Sequence, residues 1–411
     1  MPTGRDDIGQ RSETVRRANL SAIVRELHAH GPLSRSDLVA RTGLTRSAIR
    51  GLIGELASAG LVTESRAARL GTPGRPSPLV RLDPDGAVVL ALEIEVDSLA
   101  AAVVGLGGHV FELERVDRPR SHSSLDETVT DLAELAAIVR ARRPADDPLI
   151  GIGLGVVGIV RRADGFVSMA PNLGWRDVAL GRAVAVALGG VAGVSVANEA
   201  DLGALAEQRR GAARGQDHVI FISGEVGVGG GLIVDGLPLT GAAGYGGEVG
   251  HMTVDPDGAP CGCGSIGCWE TVVGGGALLE RAGRSRESGR AGIDAVLRDA
   301  ADGSEIALAA LDHVGRWLGI GLASLVNVLD PRLIVLGGLF GRIHPFVIAP
   351  LTRELDRRTL PASRALVRVA PATLGVDASL LGAAELAFEP LLADPAMWLA
   401  PRDVAPELAS A

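Results

Sequence analysis

The sequence predicts an α/β protein in which a small winged helix-turn-helix head precedes a body of two α/β lobes. Three observations predict it. Residues 1–82 hold 13 Arg against 7 acids, a charge of +6, whereas residues 83–411 hold 27 Arg against 42 acids, a charge of −15. Between residues 15 and 60, three segments carry apolar side chains at helical spacing, separated by Gly-Pro and Thr-Gly breaks. From residue 88 onward, apolar β-type runs alternate with helical stretches, and the alternation occurs twice.

Length and composition fit that reading. A chain of 411 residues exceeds one ordinary domain. Its 47% hydrophobic and 22% charged residues exclude disorder throughout, and its 3% aromatics leave the core to Leu, Val, Ile and Ala. All 40 basic residues are Arg. The polar opening does not read as a signal peptide, and no uncharged apolar run reaches the ~18 residues of a membrane span. A cytoplasmic protein with no membrane partner is therefore expected.

In the head, Leu20, Ile23, Val24 and Leu27 line one face of a helix over 15–30, which Gly31-Pro32 ends. Ser34 caps a second helix over 36–41, with Asp37 three residues on. Gly43 occupies the turn, and Thr45 caps a third helix over 45–60, where Ile49, Leu52, Ile53 and Leu56 share a face. Arg46 and Arg50 lie four apart and point elsewhere, with Ser47 beside them. Two short strands around a Gly/Pro/Arg loop then form a wing with Arg75 at its tip. This pattern fits double-stranded DNA: Arg46, Ser47 and Arg50 at a major groove, Arg75 at a minor groove. A three-helix interaction module with a solvated arginine face is the competing reading; the wing and the +6 charge favour DNA.

Asp83-Pro84-Asp85-Gly86 marks a boundary. The expected domains are the head (1–82), a first lobe (86–195), a second lobe (196–390) whose last helix packs back on the first, and a fraying Pro- and Ala-rich tail (391–411). Helices are expected over 124–143, 176–188, 198–210, 303–329, 341–358 and 376–388. Two tandem lobes imply a cleft between them.

The three cysteines all fall between positions 261 and 268. An odd number in one cluster argues against a disulfide framework. With His251, Cys261, Cys263 and Cys268 supply the ligand set of a closed tetrahedral zinc site, and no position is left open for catalysis. A redox thiol pair and buried small apolar residues are the alternatives, but the CxC spacing is not that of a CxxC motif, and all three cysteines fall within eight residues.

The stretch GGEVGHMTVDPDGAPCGCGSIGCWE (246–270) resembles the signature of the ROK family, which groups sugar-responsive repressors with sugar kinases. PNLGW (171–175), VANEADLGALAE (196–207), GVGGG (227–231) and LIVLGG (333–338) add to the resemblance. It implies an actin-like, hexokinase-type, ribonuclease H-like pair of lobes. It also implies that Asn172, Asn198, Glu199, Glu248, His251 and Glu270 face a sugar in the cleft, with Trp175 lining it too. His251 would bind zinc through one ring nitrogen and present the other to the sugar.

Family kinases carry three further features that this chain lacks. Their D-x-G-G-T-K phosphate turn aligns with Glu93-Ile94-Glu95-Val96-Asp97-Ser98, which has no glycine, Thr or Lys and three carboxylates. Their G-T-G turn reads Glu225-Val226-Gly227, and their catalytic Asp is Glu199. Carboxylates facing a triphosphate repel it. The expectation is a regulator and not an enzyme: a sugar-responsive repressor, binding its operator as a homodimer or homotetramer. The alternatives are an ATP-dependent sugar kinase carrying a DNA-binding head, and a ligand-free DNA-binding scaffold.

Overall fold

The computed structural model describes residues 6–65, 78–118, 124–190, 192–224 and 227–399. The head consists of α1 (Asp6–His30), β1 (Leu33–Ser34), α2 (Arg35–Thr42), α3 (Arg46–Ser58), β2 (Val62–Ser65) and β3 (Leu79–Leu82). Local chemistry sets its corners. Ser34 and Asp37 form a reciprocal capping box on α2, Gly43 ends α2 at φ 71°, and the Thr45 hydroxyl accepts from Ala48 N at the start of α3. Leu20, Ile23, Leu38, Ile49, Ile53 and Leu56 close the core between the helices. The strands pair in the order β1-β3-β2, which completes a winged helix-turn-helix. The wing tip with Arg75 lies outside the described residues.

The first lobe contains β4 (Val88–Ile94), β5 (Ser98–Gly105), β6 (His109–Asp117), α4 (Leu125–Ala141), β7 (Leu149–Val156), β8 (Ile159–Arg161), β9 (Phe166–Ala170), β10 (Trp175–Val178), α5 (Leu180–Ala187) and β11 (Val194–Asn198). Next come α6 (Glu199–Arg210), β12 (Val219–Gly224), β13 (Val228–Val234), β14 (Leu237–Pro238), α7 (Glu270–Val273), α8 (Gly275–Arg281), α9 (Gly289–Ala301) and α10 (Glu305–Leu329). The chain then forms β15 (Leu333–Gly337), α11 (Gly338–Arg358), α12 (Pro361–Arg364), β16 (Arg368–Pro371) and α13 (Ala378–Ala393).

The two main sheets share one plan. Three antiparallel strands are followed by two parallel ones, in the orders β6-β5-β4-β7-β11 and β14-β13-β12-β15-β16. This duplicated, actin-like body agrees with the expected fold class. Helices α6 and α13 pack together between the sheets, close enough that a Cβ on Gly382 would lie 2.0 Å from the Leu202 carbonyl oxygen.

Two expectations need correction. The helix expected over 176–188 begins only at Leu180, because Trp175–Val178 pairs with β9 in a small meander and Asp177 takes φ 55°. The tail does not fray at Pro390. Helix α13 runs on to Ala393, Leu391 and Leu392 are buried, and Ser21 Oγ donates to the Leu392 carbonyl at 2.7 Å. Helix α10 is long and apolar enough to cross a membrane by length and composition. Its inner face, however, is spent in the core: Leu311, Val314, Leu318 and Leu322 pack with Val347, Leu351 and Leu355 of α11. Gly319 permits that approach, since a Cβ there would meet the Leu351 carbonyl oxygen at 2.6 Å.

Candidate functional site

A cleft of about 740 Å³ opens at the carboxyl ends of the strands of both lobes. Asn172, Asn198, Glu199, Glu248, His251 and Glu270 all line it. Residues separated by up to about 100 positions are thus gathered in one cleft.

Asn198 ends β11 and caps α6. Its Oδ1 accepts from Ala200 N (2.8 Å) and Asp201 N (3.4 Å), and its Nδ2 donates to the Gly158 carbonyl (3.0 Å) and to Glu199 Oε2 (2.6 Å). The amide has two lone pairs and two donors, so all its capacity is used within the protein. Its part is to aim Glu199. Burial pushes the Glu199 carboxyl up to about 8, with the charges of Glu248, Asp201 and Glu93 adding to the effect. Burial likewise takes Asp201 to about 7, against the pull of Arg162. Glu248 is raised by burial and by Glu270, with His251 opposing. At neutral pH the Glu199 carboxyl is therefore largely protonated and can donate as well as accept.

Gly227 forms the floor between Glu270 and Asn172. A Cβ there would sit 3.1 Å from Glu270 Oε2 and 3.7 Å from Asn172 Nδ2. Deeper in the same run, Gly231 lets β13 touch α6, because its Cβ would meet the Ala200 carbonyl at 2.4 Å. Close packing explains that part of the glycine motif. Trp175 does not join the cleft. It is 6% exposed and belongs to the first lobe's apolar core with Val167 and Ala170.

The ligand atoms of His251, Cys261, Cys263 and Cys268 all lie within 4.8 Å of one another. His251 Nδ1 is 3.7 Å from Cys261 Sγ, and Cys263 Sγ is 3.7 Å from Cys268 Sγ. Zinc–sulfur bonds of about 2.3 Å give tetrahedral edges of about 3.8 Å, so the spacing fits a zinc ion. Since Nδ1 faces the sulfurs, Nε2 is the nitrogen left for the cleft. Cys261 Sγ lies 2.9 Å from Glu270 Oε1, which places the cysteine cluster against the cleft lining.

The cleft is also lined by residues of the segment 93–98. Glu93 is 1% exposed, and Arg115 Nη1 reaches its Oε2 at 2.5 Å. The same guanidinium donates to Asp377 Oδ1 (3.1 Å) and to the Val376 carbonyl (3.3 Å). Glu95 and Asp97 line the cleft beside them, and Glu225 lies outside the described residues. Sequence reasoning missed Arg115 and Asp377. They come from β6 and the start of α13, and no local motif joins them.

On the head, Arg46, Ser47 and Arg50 are exposed on the outer side of α3. Among the described residues, four nearby arginines are engaged: Arg16 with Glu55, Arg25 with Glu389, Arg35 with Glu64 and Arg41 with Glu26. Among the described residues, neither Arg46 nor Arg50 enters a salt bridge.

A duplicated α/β body with a cleft between its sheets and a Cys/His loop on one wall defines a protein of the sugar-kinase-like class. Within it, the model of the ROK family matches residues 89–389, and the chain belongs to that family. It is 30% identical to the xylose repressor of Bacillus spizizenii (strain ATCC 23059 / NRRL B-14472 / W23), over 92% of this chain and 97% of the relative. It is 31% identical to the glucokinase of Streptomyces coelicolor (strain ATCC BAA-471 / A3(2) / M145), over 75% of this chain and 99% of the relative. Among solved structures it resembles a ROK family transcriptional regulator homologous to the E. coli MLC protein, with TM-score 0.73, 26% identity, and coverage of 94% of this chain and 97% of that one. It also resembles the ROK family glucokinase of Streptomyces griseus in complex with glucose and AMPPNP, with TM-score 0.64, 30% identity, and coverage of 73% and 99%. The repressor relatives extend over head and body, whereas the kinases match the body.

Proposed function

We propose that the chain is a sugar-responsive transcriptional repressor whose head holds a DNA operator and whose cleft holds the sugar. One observation carries the reading: among the described residues, α3 keeps Arg46 and Arg50 exposed and outside any salt bridge, while Arg16, Arg25, Arg35 and Arg41 are neutralised by carboxylates. Unpaired guanidiniums on the outer face of a third helix suit phosphates and guanine edges. The likeness to a xylose repressor along almost its full length supports the same conclusion.

In this reading Asn172, Glu199, Glu248, His251 and Glu270 recognise the hydroxyls, and Asn198 orients Glu199. Polyols present adjacent donors and acceptors, which carboxyls and amides match in pairs. His251, Cys261, Cys263 and Cys268 would hold a structural zinc, which supplies a fixed loop and a fixed tautomer for His251. The head is taken as residues 1–82 and the lobes as 86–195 and 196–390. A pseudo-palindromic operator calls for an even oligomer, a homodimer or homotetramer.

A kinase reading has the glucokinase likeness in its favour. Against it stands the buried Glu93–Arg115 pair where a phosphate turn would offer backbone N–H groups. Isothermal titration with ATP and Mg²⁺ tests this, and no binding is expected. The regulator reading is tested by measuring whether D-xylose or D-glucose changes the affinity of the full chain for a duplex selected in vitro from a random pool. Absence of any DNA selection would overturn it.

A further inference from the structure

Helices α6 and α13 each have one end in the cleft and the other under the head. The N-terminus of α6 carries Asn198 and Glu199 at the cleft wall. About 18 Å away along its 12 residues lies Arg210. There Arg210 Nε donates to Glu385 Oε1 (2.5 Å), Nη1 donates to the Gly107 carbonyl (2.7 Å), and Nη2 lies 2.8 Å from His28 Nε2 of the head. Arg214, one turn further, donates to the Ala29 carbonyl at 2.9 Å. Helix α13 starts beside the cleft at Asp377, which pairs with Arg115, and meets the head through Glu385, Glu389 and Asp394. The two helices form one body. Besides the Gly382–Leu202 contact, the buried Glu207 carboxylate of α6 accepts from Thr373 N and Leu374 N ahead of α13, both at 2.8 Å.

The junction itself is a buried conflict. His28 Nε2 lies 2.8 Å from both Glu385 Oε2 and Arg210 Nη2. With a proton on Nε2, the ring donates to Glu385 and opposes the Arg210 N–H. Without that proton, it accepts from Arg210 and opposes the Glu385 oxygen. One ring nitrogen cannot satisfy both neighbours, and His28 Nδ1 is buried with no partner. The surrounding contact is apolar and shared: Leu20, Ile23 and Leu27 of the head pack in one cluster with Leu380, Phe388 and Leu391 of α13. The head is thus not on a loose tether, and a small shift of Arg210 decides which arrangement of the buried contact holds.

We propose that the His28–Glu385–Arg210 contact is the two-state junction through which cleft occupancy, carried by α6 and α13, alters the head's hold on DNA. The proposal rests on the regulator reading above.

The test uses the full chain, a duplex selected in vitro by the wild type, and D-xylose and D-glucose as probes. DNA dissociation constants are measured with and without saturating sugar for wild type, Arg210→Met and His28→Gln. In His28→Gln one amide can donate to Glu385 and accept from Arg210 at once, so the conflict is resolved and the junction locked. The wild-type ratio is expected within the ~5–150-fold range of ordinary coupling. In both variants it should fall to within ~2-fold of one, with sugar affinity kept and, for His28→Gln, an unchanged or raised melting temperature. The melting temperature separates a locked junction from mere loss of structure, and His28→Gln decides if Arg210→Met misfolds. A wild-type ratio preserved in folded His28→Gln would overturn this junction alone. A wild type that binds DNA but responds to neither sugar would overturn the regulator reading as well.

Discussion

Arg115 and Glu93 form a salt bridge of 2.5 Å at the cleft wall, with the Glu93 carboxylate almost fully buried. Burial pushes the Glu93 carboxyl up and Arg115 opposes it, so the pair depends on both members. Replacing Arg115 with Leu should leave Glu93 buried without its cation. The expected cost is about 3–5 kcal/mol, read as a lower denaturant midpoint in equilibrium unfolding. A change below about 1 kcal/mol would mean that Glu93 is solvated in solution.

The recognition face of α3 makes a salt-dependent prediction. Arg46→Ala and Arg50→Ala should each weaken DNA binding. If the side chain meets a phosphate, the log–log salt slope drops by about one; if it meets a base edge, discrimination at one position relaxes by about 1–3 kcal/mol. Arg35→Ala removes a side chain already paired with Glu64 and should leave the slope unchanged.

Two buried carboxyls at the start of α6, Glu199 and Asp201, give a pH dependence whose sign is fixed. The folded-state values of Glu199 and Asp201 are raised to about 8 and about 7, so the folded chain holds protons that the unfolded chain has released. Their stabilising effect is fully present below the unfolded value near pH 4 and is lost as pH climbs to between 7 and 8. Glu199→Gln removes one of these protons from the balance. Its stability relative to wild type should rise between pH 5 and pH 7 by at most about 1.4 kcal/mol per pH unit, then level off above pH 8. Chemical denaturation across that range measures it. Parallel curves would show that Glu199 is ionised in the folded protein.

Much of the head was legible because its signals are local. Ser34, Gly43 and Thr45 each act on backbone within three or four residues, and all three take the caps expected of them. The central strands were legible for a similar reason, since buried β4 and β5 read as nearly continuous apolar runs, interrupted in β4 by Glu93. The meander around Trp175 was not, because a four-residue strand with a left-handed Asp177 has no periodicity to detect. At the site, the Cys/His loop declared itself by spacing, whereas the Arg115–Asp377 contact joins residues 262 positions apart. Asn198 was expected to contact the sugar. The helix-capping geometry at the end of β11 instead uses up its amide, a fact that residue type alone does not reveal.

The cysteine cluster predicts a stoichiometric metal. Protein purified without chelator should contain one zinc per chain by mass spectrometry under non-denaturing conditions, and Cys263→Ser should lose it. Because Cys261 touches Glu270 and His251 lines the cleft, loss of the ion should weaken sugar binding more than DNA binding. Zinc retained at full stoichiometry in Cys263→Ser would remove that residue from the ligand set.

Sugar-dependent release from DNA is the decisive measurement, made on wild type and Glu248→Gln with D-xylose and D-glucose. Wild type should lose DNA affinity with at least one of the sugars by ~5–150-fold, and Glu248→Gln should bind DNA equally well but no longer respond. Unchanged DNA affinity in wild type with both sugars, or full release in a correctly folded Glu248→Gln, would contradict a sugar-sensing cleft built on these residues.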